Sequence, residues 1–163
     1  MAQQLWFLRH GDAEPHGARH DAERRLTEKG ERQSDAAGCA LARLELKFAV
    51  VLTSPRERSL ATARLACEHL DAEPLVHQGL SGGFDVDEAR RIMARHGEDV
   101  RVLAVGHEPD LSQVACDLTG ARIDLKKGGV AGVRLDGASG ELLALMRPRE
   151  LAQIAGLAAS DAL

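Results

Sequence analysis

A chain of 163 residues carrying 21 Lys+Arg, 25 Asp+Glu and a formal net charge of −4 is long enough to bury one sizeable core. No Pro/Gly/Ser-rich linker, internal repeat or low-complexity tract divides it, so a single domain over residues 1–163 is expected. The net charge speaks against general binding to nucleic acid or acidic membranes, and one Trp, three Phe and no Tyr provide no stacking platform for single strands and require an aliphatic, alanine-rich core.

In chain order, the apolar run Gln4–Leu8 predicts a first strand ending in a polar loop at Arg9-His10-Gly11. Helix-like sequence follows over 28–45. The second run, Phe48–Thr53, leads into Ser54-Pro55-Arg56-Glu57-Arg58. Serine is a good N-cap and proline suits the first helical position, which predicts a helix over 56–70. Arg56 and Arg58 then fall in its first turn, where free N–H groups and the dipole attract anions and a guanidinium fork matches phosphate oxygens. Of the two, Arg56 is expected to be solvated and bonded to nearby glutamates. A strand at Pro74–Val76 precedes a helix over 86–96 capped by Asp85 or Asp87. The run Val100–Val105 ends in Gly106-His107-Glu108 and is followed by a helix over 110–119. Gly129–Leu135 and Glu141–Met146, joined by 136–140, predict a hairpin, and a last helix runs from Pro148 to about Ala158. This rhythm predicts an α/β three-layer sandwich with a mainly parallel central sheet, helices on both faces and a C-terminal hairpin. His10, the loop into Arg58, and His107 then converge at the carboxyl ends of the strands.

Two imidazoles, each delivered by a strand and each near arginine-rich sequence, suit a reaction in which one attacks phosphorus and the other stabilises the charged phosphoryl group. Arg-His-Gly alone is a weak signal; its weight comes from its companions.

Three separated motifs resemble the histidine phosphatase (phosphoglycerate-mutase-like) superfamily, and within it the small SixA-type phosphohistidine phosphatases. They are Leu8-Arg9-His10-Gly11-Asp12-Ala13; Ser54-Pro55-x-x-Arg58 with Ala61-Thr62-Ala63; and Val105-Gly106-His107-Glu108-Pro109. Leu26-Thr27-Glu28-x-Gly30 is a fourth, weaker match. The resemblance implies that His10 is the nucleophile that becomes phosphorylated, and that Arg9, Arg58 and His107 bind the phosphoryl oxygens. On this reading His107 is protonated at working pH, with Glu108 available to hold that charge, and His10 is neutral. Gly11 and Ser54 are further candidate substrate contacts. Arg24, in the loop after the nucleophile, is a substrate contact or a solvated arginine.

One departure bears on the substrate. Relatives that hydrolyse phosphate esters carry an acidic residue after the third strand to protonate the departing alkoxide, a contribution of about 10²–10⁴-fold. Gly79 stands there, and Asp85, Asp87 or Glu88 would have to swing in to replace it. A phosphorylated imidazole leaves more readily than an alkoxide, so the substitution favours phosphohistidine in a protein over a sugar phosphate. A small-molecule phosphomonoesterase and a catalytically weak phosphate- or phosphoprotein-binding module are the alternatives, together with a metal-dependent hydrolase using His10, Asp12 and His107.

No cofactor is expected. His16 and His20 have an i,i+4 spacing, but Pro15 and Gly17 oppose a helix and no third ligand is evident. His69, His77 and His96 read as surface or helix-end residues, and Lys126 and Lys127 as a solvated pair. Cys39, Cys67 and Cys116 are odd in number and lack C-x-x-C spacing, so they read as small buried residues rather than disulfide partners or zinc ligands. The N-terminal apolar stretch is too short for a signal peptide, and no run approaches the roughly 20 apolar residues of a membrane helix, so a cytoplasmic location is expected.

Overall fold

Alternation along the first strand sets up two cores. In the computed structural model, which describes residues 2–157, β1 (Gln4–Arg9) sends Leu5 and Phe7 into one apolar cluster and Trp6 and Leu8 into another. Both faces of the strand are buried, which is why its sequence is a continuous apolar run. The other strands are β2 (Val50–Thr53), β3 (Pro74–Val76), β4 (Arg101–Gly106), β5 (Val130–Asp136) and β6 (Ser139–Met146). They form one sheet in the order β3-β2-β4-β1-β5-β6. The first four are mutually parallel, whereas β5 runs antiparallel to β1 and β6 antiparallel to β5. The sheet is as expected, four parallel strands extended by the predicted C-terminal hairpin.

The helices are α1 (Glu28–Arg43), α2 (Glu57–Cys67), α3 (Val86–Ala94), α4 (Asp110–Thr119) and α5 (Pro148–Ile154). Ala37, Ala40, Leu41, Ala63, Ala66 and Leu151 bring α1, α2 and α5 against the Trp6–Leu8 face. Ala89, Ile92, Met93, Leu111, Val114 and Leu118 bring α3 and α4 against the other, giving three layers. Small residues let α1 lie close to α2: a Cβ on Gly38 would strike the backbone of Ala66. Thr27 caps α1 by accepting from the N–H of Gly30, and Asp85 caps α3 by accepting from that of Glu88.

Several boundaries differ from expectation: β2 begins at Val50 rather than residue 48, α2 ends at Cys67 rather than residue 70 and α3 at Ala94 rather than residue 96. Helix α1 stops at Arg43 because the chain turns through Glu45 at φ 58. The hairpin strands run further than predicted, to Asp136 and from Ser139, because Gly137 at φ 59 makes a two-residue turn feasible. The Ser-Pro pair does not open α2. Arg56 occupies its N-cap without a side-chain bond, and the Ser54 hydroxyl is drawn to the backbone N–H of Arg56 and to His107. The expected end of the last helix near Ala158 lies outside the described residues. The three cysteines are free and half-buried rather than buried. Among the described residues no helix is long and apolar enough to cross a membrane.

Candidate active site

Strand register assembles the site. Arg9 on β1 lies opposite Gly106 on β4, so the residues that follow, His10 and His107, leave the sheet side by side. The N–H of His10 donates to the Gly106 carbonyl at 3.1 Å, and their ring centroids are 5.3 Å apart at 53°. On the other side of β4, Thr53 pairs with Val105 and the Ser54 N–H donates to the Val105 carbonyl at 3.0 Å. Ser54 and the α2 residue Arg58 thereby arrive at the same edge, and the topology brings together all four residues expected to do chemistry. His10, Arg24, Arg58 and His107 are buried, and with Arg9 they line a cleft of about 440 Å³.

The protonation of His10 follows from its surroundings. Nδ1 lies 2.8 Å from the Gly11 carbonyl, which can only accept, so Nδ1 carries the proton and Nε2 keeps its lone pair. Burial pushes the pKa down to about 4; the bond to Gly11 opposes this, while Arg58, Arg9 and Lys127 add to it. The ring is therefore neutral at pH 7.

His107 departs from expectation. Burial, His10, Arg58 and Arg56 push its pKa down to about 3, against the opposing pull of Asp21, so the ring is neutral rather than cationic in the protein by itself. Glu108 does not hold a charge on it. The Glu108 carboxylate turns back to accept from the Ser112 N–H at 3.0 Å, where it serves the first turn of α4. The ring is fixed instead by hydroxyls, with Nε2 2.7 Å from Ser54 Oγ and 3.4 Å from Ser59 Oγ.

Three buried side-chain nitrogens lack a hydrogen-bond partner among the described residues: Arg9 Nε, Arg58 Nε and His107 Nδ1. All belong to the four-residue cluster. Leaving such a group unmet costs about 1–3 kcal/mol, so their concentration at one place marks the region as built for a ligand rather than for stability. Arg9 is anchored by Nη1 donating to the Leu125 carbonyl at 3.0 Å, and Arg58 by Nη1 donating to the Asp21 carbonyl at 2.8 Å.

The other candidates sort differently. Gly11 gives its N–H to Thr62 Oγ1 at 3.1 Å, and a Cβ there would strike Gly30, so its place is set by packing. Ser54 reaches the site through His107. Arg24 is not solvated: Nη1 donates to the Glu14 carbonyl at 2.7 Å and Nε to Asp21 Oδ1 at 3.0 Å. Arg56 bonds Asp21 Oδ2 at 2.8 Å rather than a glutamate, and it too lines the cleft. Lys126 and Lys127 are both exposed, as expected, and Lys127 also lines the cleft and meets Asp12 at 3.4 Å.

Sequence reasoning missed Asp21, whose carboxylate gathers Arg24, Arg56 and, at 3.3 Å, Arg58. The Asp21-x-x-Arg24 spacing was visible; the two arginines 35 and 37 residues later gave no local signal. Glu14 was also missed. It lines the cleft while accepting from Arg19 Nε and the Arg25 N–H, both at 2.8 Å. Glu88 does not swing in for the residue absent at Gly79, because His77 holds it at 2.8 Å and Arg91 at 2.9 Å. No group of three or more His, Cys, Asp or Glu suited to a metal occurs among the described residues, and His16 meets only Asp21, at 3.8 Å.

Comparison with known proteins bears on family and fold. Residues 5–82 match the model of the histidine phosphatase superfamily, branch 1. An uncharacterised protein of Picosynechococcus sp. is 36% identical over 139 residues, covering 80% of this chain and 84% of that one. The structure of the protein histidine phosphatase SixA complexed with tungstate superposes with a TM-score of 0.82 at 26% identity, covering 91% of this chain and 99% of the other. A putative α-ribazole-5′-P phosphatase from Escherichia coli shares the fold, with a TM-score of 0.72, 20% identity and coverage of 90% and 98%. The chain belongs to the histidine phosphatase superfamily, branch 1, as a SixA-like phosphatase.

Proposed function

We propose that the protein removes phosphoryl groups from phosphohistidine in proteins through a covalent intermediate on Nε2 of His10. The observation that carries this reading is the Nδ1–H bond of His10 to the Gly11 carbonyl, which with the depressed pKa supplies a neutral ring and a free lone pair at neutral pH. Nε2 attacks phosphorus as the substrate's phosphorus–nitrogen bond breaks. The electron pair stays on the departing imidazole, which takes up a proton from solvent. Water then attacks phosphorus and gives up a proton to solvent as the phosphorus–Nε2 bond breaks, so that phosphate leaves and the pair returns to Nε2. Arg9, Arg58 and His107 supply charge to the transferring oxygens, at about 1.5–3 kcal/mol for each charged hydrogen bond. A dianionic phosphoryl group beside His107 opposes the influences that depress its pKa, so protonation of that ring accompanies binding.

Three carboxylates line the cleft, Glu14, Asp21 and Glu108, and their placement supports a phosphoramidate over an ester: Glu108 accepts from the Ser112 N–H at 3.0 Å, and the other two are tied to arginines. Glu14 is held below its usual range by the Arg25 N–H and Arg19; Asp21 is also held low, Arg58 and Arg24 outweighing the upward effect of its own burial. Neither is a ready proton donor for an alkoxide. The test compares a phosphohistidine peptide, p-nitrophenyl phosphate and a sugar phosphate, with wild type and His10→Ala, and follows transient phosphoryl label on His10. Preference for phosphohistidine with label dependent on His10 is expected. Equal rates on all three would point to a general phosphomonoesterase, activity surviving in His10→Ala would overturn the nucleophile, and tight phosphate binding without turnover would identify a binding module.

A further inference from the structure

Next to the phosphoryl cleft lies a second groove of about 540 Å³, and six cations line it: Arg9, Lys29, Lys126, Lys127, Arg147 and Arg149. They come from the end of β1, the first turn of α1, the loop before β5 and the two sides of Pro148 at the start of α5. Six of the chain's 21 lysines and arginines therefore meet at one concavity of a protein whose net charge is −4. The lining carboxylate, Asp12, offsets part of this charge, with Oδ1 meeting Lys127 at 3.4 Å while Oδ2 accepts from Thr27 Oγ1 at 2.8 Å. Among the described residues Lys29 and Arg149 have no carboxylate oxygen within ion-pair distance, whereas Lys126 pairs with Asp124 at 2.6 Å and Arg147 with Glu150 at 2.9 Å. Arg9 and Lys127 line both cavities, so the two are contiguous across those side chains.

We infer that this groove is a docking subsite for acidic side chains flanking the phosphohistidine of a protein substrate. The inference rests on the reading of the substrate given above. Like charges gathered from four chain segments repel one another, and an anion is what lowers that cost. The groove is larger than the cleft that receives the phosphoryl group, more room than one extra phosphate needs, and lysines on flexible stems suit carboxylates whose positions vary. A negatively charged protein also repels an acidic partner at long range, so a local cationic field is the means by which it would recognise one.

The experiment uses two phosphohistidine peptides, one with Glu and Asp around the phosphorylated residue and one with Gln and Asn, beside p-nitrophenyl phosphate and a small bisphosphate. The substitutions are Lys29→Glu and Arg149→Glu, both at exposed positions outside the proposed catalytic cluster. The double substitution is expected to raise KM for the acidic peptide about tenfold, to leave its kcat and the kinetics of the neutral peptide and p-nitrophenyl phosphate unchanged, and to remove most of the salt dependence of the acidic peptide's KM. An unchanged ratio of acidic to neutral KM, or equal losses on both peptides, overturns the docking role while leaving the substrate reading intact. Dependence confined to the bisphosphate overturns it in favour of a small-molecule subsite. Turnover of p-nitrophenyl phosphate with neither phosphohistidine peptide hydrolysed overturns the substrate reading, and the docking role with it.

Discussion

Acidifying the protein from pH 6.5 to pH 5 should destabilise it through His10 and His107. In the unfolded chain both rings take up protons below about pH 6.5, whereas in the fold burial holds them neutral to about 4 and about 3. Stability is therefore fully present above pH 6.5 and is lost as pH falls toward the folded values. From pH 6.5, where an unfolded ring is already half protonated, to pH 5 the loss integrates to about 1.6 kcal/mol per ring, or about 3 kcal/mol for the pair. For a chain of this length, about 2–4 °C per kcal/mol translates that into a fall in Tm of roughly 6–12 °C. The depressed carboxylates Asp12, Glu14, Asp21, Glu88, Asp124 and Glu150 act in the same sense but in more acidic solution, stabilising above their unfolded pKa and losing that contribution below it, which leaves this window to the histidines. The assay is urea denaturation at pH 7, 6.5, 6, 5.5 and 5, with wild type beside a His10→Asn/His107→Asn double variant. The readout is the pH slope rather than absolute stability, so a weakened variant is still informative. Parallel slopes for the two proteins would refute the claim that the rings are held neutral.

Ser54→Ala removes the 2.7 Å partner of His107 Nε2 and leaves Ser59 Oγ at 3.4 Å; a loss of about 1 kcal/mol predicts a fall in kcat of about fivefold with folding preserved, and an unchanged kcat would show that Ser59 alone positions the ring. Gly30→Ala drives a Cβ into the backbone of Asp12, neither partner being a flexible side chain, and should cost about 3 kcal/mol by denaturant titration; Gly97→Ala, where nothing lies within 4 Å, should be nearly neutral. Asp21→Asn removes the anion shared by Arg24, Arg56 and Arg58, so inorganic phosphate should inhibit several-fold more tightly, and weaker inhibition would show that Asp21 orders the arginines more than it competes for them. Because guanidinium groups meet the phosphoryl charge, activity in excess chelator should equal the untreated rate, and loss restored by a divalent cation would contradict the mechanism.

What could be read in advance was what short-range pattern encodes. The run Leu5–Leu8 is apolar throughout because both faces of β1 are covered, and His10 and His107 were recognisable because each directly follows such a strand. Ser54 was misjudged because Ser-Pro fits a helix start, while the partner that claims its hydroxyl lies 53 residues away. Glu108 was judged by adjacency, yet a side chain next in sequence to His107 is free to turn into its own helix. The charge of His107 depends on burial and on Arg56, Arg58 and His10 together, a sum that no local motif carries. The same holds for Asp21, the centre of an arginine cluster assembled across the fold.

The hydroxyl of Thr62 joins elements that would otherwise be separate. It accepts the Gly11 N–H, bonds Ser34 Oγ of α1 at 3.1 Å and donates to the Arg58 carbonyl of α2 at 2.7 Å, while Asp12 N–H is held by Gln33 at 2.8 Å. The loop carrying His10, the proposed nucleophile, is thereby tied to the helix that carries Arg58 and to the helix beside it. Opening one means opening all three, so the Gly11 amide should exchange with solvent in concert with the central amides of α1 and α2 rather than at the rate of a loop.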